Sequence, residues 1–157
     1  KRRILYIGTN NRCRRILSEA ITNHLSTGKI LAKSAGSQPA GQVHPLSILH
    51  LQQAGINTDN LVSQSWDELE SFAPDVVVTV CDSAAAESCP LWFGTAIKLH
   101  WGLADPSKVI GTSDEISQAF NSTINEISSR VEQLLSLHHN LSDRQALRAE
   151  LTAFGAN

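Results

Sequence analysis

The chain has 157 residues, a formal net charge of −2, and 41% hydrophobic, 18% charged and 5% aromatic residues, the composition of one folded domain that buries its own core. Collagen-like, disordered and disulfide-scaffold classes are excluded, and the apolar runs Ile4 to Ile7 and Val76 to Val80 are far shorter than the roughly 20 residues a membrane helix requires. Thirteen basic against fifteen acidic residues give no support for general nucleic-acid binding.

Lys1, Arg2 and Arg3 precede an apolar run with no small-residue cleavage site, which predicts a cytoplasmic protein. Ile4, Leu5, Tyr6 and Ile7 read as a strand, followed by the turn-forming residues Gly8, Thr9, Asn10 and Asn11. From Arg14 onward, Ile16, Leu17, Ala20, Ile21 and Leu25 recur at three- and four-residue spacings, predicting an amphipathic helix that Gly28 closes. Ile30 to Ser34 reads as a second strand and Ala35 to Gly41 as a loop. Pro45 opens a helix carrying Leu46, Ile48, Leu49 and Leu51, closed at Gly55.

A short helix over Trp66 to Phe72 precedes Asp75 to Val80, a β-branched run of the kind buried on both faces and so expected at the centre of a sheet. Ala96 to His100 is the fourth predicted strand. Thr112 to Leu137 reads as a long helix with Ile116, Phe120, Ile124, Ile127, Val131, Leu134 and Leu135 along one face, and Ser142 caps a last helix with Leu147 and Leu151. No repeat or linker interrupts residues 1 to 157, so one doubly wound α/β domain is expected, a four-stranded parallel sheet with helices on both faces.

In such a sheet, ligands gather beyond the carboxyl ends of the strands, against helix N-termini. Gly8 to Cys13 lies there, and six of the thirteen basic residues, Arg12, Arg14 and Arg15 among them, precede the first acid, Glu19. The amides of this loop can curl into a nest for a tetrahedral oxyanion, closed by a bidentate Arg14. An ordinary strand-to-helix turn with exposed arginines fits the spacing equally well.

Ile4 through Arg15 with Ser18, Glu19 and Ala20 resembles the N-terminal signature of arsenate reductases built on the low-molecular-weight protein tyrosine phosphatase fold. Ala32 to Ser37 with Val43 to Leu46, Val78 to Asp82 through Cys89 and Pro90, and His100 to Pro106 resemble that family in the same order. The resemblance implies an oxyanion cradle made by Gly8, Thr9, Asn10, Asn11, Arg12, Cys13, Arg14 and Arg15, which would hold arsenate, phosphate or sulfate. It implies a general acid at Asp105 and a redox pair at Cys81 and Cys89. The family's phosphate loop reads Cys, five residues, Arg, then Ser or Thr; with its Arg on Arg14, the attacking cysteine falls on Gly8 and the hydroxyl on Arg15.

Glycine has no group that can attack phosphorus or arsenic, so the covalent step of the family mechanism has no nucleophile here. Thr9 would need a general base, and no histidine is near it in sequence. Cys13 lies between Arg12 and Arg14 at a helix start, a setting that lowers a thiol pKa, although a small side chain packed under the loop is the commoner role. Three cysteines without a tight histidine cluster argue against a metal, and no cofactor is expected. Three functions follow as expectations. The first is an oxyanion binder without family catalysis. The second is a reductase using Cys13, Cys81 and Cys89 in a shifted order with an external thiol donor such as thioredoxin or glutathione. The third is a pseudophosphatase that docks a phosphoprotein.

Overall fold

A computed structural model describes residues 2–8, 13–36, 41–59, 61–81, 96–103 and 105–140. Four strands, β1 (Arg2–Gly8), β2 (Ile30–Gly36), β3 (Val76–Cys81) and β4 (Ile97–Gly102), form one parallel sheet in the order β2-β1-β3-β4. The helices are α1 (Arg14–Ser26), α2 (Pro45–Gln53) and α3 (Ser113–Asn140), with 3₁₀ segments at Trp66–Phe72 and Pro106–Lys108. The α/β class, the parallel sheet and the inner place of β3 agree with the sequence pattern. The helix expected after Ser142 lies outside the described residues.

Strand alternation divides the core. Ile4, Tyr6, Val76, Val78 and Val80 pack beneath Leu17 and Ile21 of α1, Leu51 of α2 and Phe120, Ile127 and Val131 of α3. Leu5, Ile7, Ala35 and Val77 face the other way, against Leu69, Trp66 and Phe72 of the 3₁₀ segment. Burial on both faces explains why β1 and β3 read as continuous apolar runs. The 3₁₀ segment starts on a capping box in which Ser65 and Glu68 satisfy each other's backbone N–H groups. A left-handed Thr27 followed by Gly28 at φ +90° ends α1 and turns the chain into β2.

Strands run further than their side-chain patterns suggest. β2 continues through Ala35 and Gly36, which pair with Ile7 and Gly8, because backbone pairing with β1 outlasts the apolar run. β4 likewise reaches Trp101 and Gly102 opposite Val80 and Cys81. Along its outer edge, β2 is met by side chains. Ser26 Oγ donates to Ile30 O, and the Asn23 amide both donates to Ala32 O and accepts from Ala32 N–H. Gln64 Nε2 donates to Ser34 O, and Gly36 N–H donates to Gln64 O.

Candidate functional site

The carboxyl ends of β1, β3 and β4 converge on the start of α1, placing Gly8, Arg14, Arg15 and Asp105 together. No acidic residue occupies the first turn of α1, so its positive end is not offset by its own side chains. Thr9, Asn10, Asn11 and Arg12 lie outside the described residues, as does Cys89. Cys81 closes β3 with its backbone opposite Gly102.

Arg15 is 6% exposed, and its Nη1 donates to Val80 O at the end of β3. The guanidinium then lies directly against Gly8. A β-carbon built on Gly8 would stand 2.6 Å from Arg15 Nε and closer still to Cζ and Nη1, distances at which something must move. Gly8 is not among the residues with positive φ. A side chain here would have to displace the end of the Arg15 side chain, while the backbone conformation itself suits any residue. Where a side chain at position 8 would begin, this chain puts a guanidinium.

Arg14 is equally buried and turns toward β4. Its Nη1 donates to Leu103 O at 2.7 Å, and its Nη2 stands 3.8 Å from Asp105 Oδ2. Asp105 caps the turn that follows it, accepting from the Ser107 backbone N–H at 2.9 Å and from the Ser107 hydroxyl at 2.6 Å. Burial raises the Asp105 pKa, but the Ser107 hydrogen bonds and the charges of Arg14 and Lys108 outweigh it, and the carboxyl is held below its ordinary value. In this arrangement Asp105 faces Arg14 as its ion-pair partner.

Cys13 departs from the expectation of a lowered thiol pKa. It is 4% exposed and receives a hydrogen bond from Ser47 Oγ at 3.3 Å. Burial pushes its pKa up to about 11, while the Ser47 bond and the charges of Arg14 and Arg15 pull the other way without prevailing. The thiol packs in the main core as a small apolar side chain. Sequence reasoning missed Ser47, whose hydroxyl sits on the inner face of α2 and carries no motif. It also missed the carbonyls of Val80 and Leu103, which no sequence pattern can single out. The one available signal for Arg15 was a long side chain opposite a residue with none.

The histidines at α2 serve the fold. His44 caps α2 by accepting the Leu46 N–H at 3.1 Å, while His50 is buried, hydrogen-bonded to Leu46 O and Ser117 Oγ and stacked on Phe120. Trp101 is fully buried beside Tyr6. Among the described residues no helix is long and apolar enough to cross a membrane.

A four-stranded parallel sheet in the order β2-β1-β3-β4 whose strand ends meet the start of α1 is a phosphatase-like α/β fold. The low molecular weight phosphotyrosine protein phosphatase family matches residues 3–151, and the chain belongs to it. It is 30% identical over 135 residues to an arsenate reductase of Shouchella clausii, an alignment covering 85% of this chain and 94% of that protein. It is 27% identical over 135 residues to a glutaredoxin arsenate reductase of Synechocystis sp., covering 86% and 97%. A solved arsenate reductase described as being in the phosphate binding state superposes with a TM-score of 0.73 at 24% identity, covering 87% of this chain and 98% of that one. That likeness establishes the fold.

Proposed function

We propose that this protein binds a small tetrahedral oxyanion, arsenate or phosphate, and has lost the covalent attack of its family. The observation that carries this reading is the Arg15 guanidinium lying against Gly8, in the space where a cysteine side chain would have to stand. A thiol nucleophile splits a difficult displacement into two easier steps, and a guanidinium offers no electron pair for that purpose. What survives is suited to holding an anion, namely the N-terminus of α1 and two buried arginines at the strand ends. The relatives named arsenate reductases support arsenate and phosphate as the ligands to test first.

The same names favour a second reading, a thiol-dependent arsenate reductase working through Cys13, Cys81 and Cys89 with an external thiol donor. The burial and raised pKa of Cys13 weigh against it. One experiment separates the two. The reduced protein is titrated calorimetrically with arsenate and with phosphate, and its three thiols are counted before and after. Binding with all three thiols intact is the expected result, whereas arsenate-dependent loss of two thiols would establish the reductase. As a positive control, Gly8→Cys combined with Arg15→Ser restores the family's Cys-five-residue-Arg-Ser pattern and is expected to gain phosphatase turnover that neither single variant has.

A further inference from the structure

We propose that the cavity between α1 and the outer edge of β2 binds a small zwitterion, a short-chain amino acid whose ammonium is held by Glu19 and Asp59 and whose carboxylate is held by Lys33. The inference is independent of the oxyanion reading, because this cavity is lined by none of Gly8, Arg14, Arg15 and Asp105.

The cavity measures about 320 Å³, within the range of small-molecule sites, which begins at roughly 300 Å³. Its walls are fixed before any ligand arrives. Asn23 of α1 donates to Ala32 O at 3.0 Å and accepts from Ala32 N–H at 2.8 Å, tying helix to strand. On the far side, Asn57 Oδ1 accepts from Asp59 N–H at 2.9 Å and holds the loop that follows α2. Glu19, Ala20 and Ala32 are buried and form the floor, while the exposed His24 and Asp59 stand at the mouth. Leu31 and Leu61 add apolar surface for a short hydrocarbon stem.

Both signs of charge line this space. Glu19 and Asp59 bring carboxyls, Lys33 an ammonium and His24 an imidazole, and these are the titratable groups that face it. A bare ion of either sign would meet its own charge as well as the opposite one, whereas a molecule with two oppositely charged ends complements the lining. Among the described residues no group of three His, Cys, Asp or Glu side chains could hold a metal ion. Glu19 is the inner anchor. It is 8% exposed, and Ser34 Oγ donates to its Oε1 at 2.7 Å. A carboxylate accepts up to about four hydrogen bonds, so capacity remains for a ligand ammonium. Burial outweighs Ser34 and Lys33 and pushes the Glu19 carboxyl up to about 7, so the cation already beside it leaves its charge incompletely balanced. A ligand ammonium completes the balance, and the carboxyl then gives up its proton to the buffer.

The test is calorimetric titration of the full chain at about pH 7 with glycine, β-alanine and γ-aminobutyrate, in two buffers of different ionisation enthalpy. Butylamine and butyrate, each carrying one of the two charges, are the controls. At least one amino acid is expected to bind on the order of tenfold more tightly than either control. It is expected to release up to about half a proton, the share that a carboxyl with a pKa of about 7 holds at that pH. Glu19→Gln, which keeps an acceptor for Ser34, is expected to abolish the proton release and weaken binding on the order of tenfold. Lys33→Gln is expected to erase the preference for the amino acid over butylamine. No binding by any of the three amino acids, a control that binds as tightly, binding without proton release, or unchanged affinity in Glu19→Gln would each overturn the inference. Proton release on adding potassium chloride alone would assign the carboxyl to an inorganic cation and overturn it as well. The proton count uses the unaltered protein, so it stands even where a variant fails to fold.

Discussion

Gly8 and Arg15 share one volume: the guanidinium of the second occupies the space in which the first would carry a β-carbon. The absence of a side chain at the end of β1 and the long side chain in the first turn of α1 are two parts of one packing arrangement.

Gly8→Ala is therefore predicted to destabilise the protein by about 1–3 kcal/mol through overpacking, although the backbone at position 8 suits any residue. In an Arg15→Ala background the same substitution is predicted to cost little. Urea denaturation of the four proteins in this cycle measures the coupling, and additive costs would show that the guanidinium moves aside freely.

The Cys13 thiol is predicted to resist alkylation by iodoacetamide in the native protein at about pH 8 and to react once the chain is unfolded. Its pKa of about 11 lies above the ordinary 9.0, so the folded state keeps the proton longer and stability falls as pH rises from about 9 to about 11. Mass spectrometry of the labelled peptide reads the outcome, and rapid native labelling of Cys13 would contradict the burial described above.

Asp105 contributes with the opposite sign. Its folded pKa lies below the ordinary 3.8, so its stabilising contribution is complete above that value and disappears as pH falls through the folded pKa. Asp105→Asn keeps an acceptor for Ser107 while removing the carboxylate that faces Arg14. The variant is predicted to be less stable than the unaltered protein near pH 7, with the difference narrowing toward pH 3 in thermal melts. A gap that stays constant with pH would mean that the charge facing Arg14 contributes nothing.

Glu19 lines a cavity of about 320 Å³ with Asn23, Lys33 and Asp59, and accepts a hydrogen bond from Ser34 Oγ at 2.7 Å. Burial pushes its carboxyl from 4.5 up to about 7, against the opposing effects of Ser34 and Lys33. The unfolded chain releases this proton first, so stability falls as pH rises from about 4.5 to about 7 and then levels. Glu19→Gln retains an acceptor for Ser34 without the buried charge. It is predicted to exceed the unaltered protein in stability near pH 8 by on the order of 3 kcal/mol, and to lose that advantage near pH 4. Equal stability at both pH values would count against a raised Glu19.

Much of this fold is legible in the chain because burial on both faces leaves unbroken apolar runs, as at Ile4 to Ile7 and Val76 to Val80, and because α3 repeats its apolar positions at helical spacing. Strand ends such as Ala35 and Gly36 are not legible, since backbone pairing holds them and their side chains carry no pattern. At the site, a residue without a side chain is visible as Gly8, but what fills the space beside it is not. Several arginines lie in this region of the sequence, and among the described residues it is Arg15 whose guanidinium stands against Gly8. Cys13 shows the opposite limit. Neighbouring arginines in sequence suggest an activated thiol, whereas depth, which sequence does not report, decides its acidity.

The outer edge of β2 has a consequence beyond the site. A border strand normally presents a row of vacant backbone donors and acceptors to any other extended chain. Here Ser26, Asn23 and Gln64 supply stand-ins for a fifth strand at Ile30, Ala32, Ser34 and Gly36. At these positions the border is finished from within, and a second polypeptide would meet backbone groups that are already engaged.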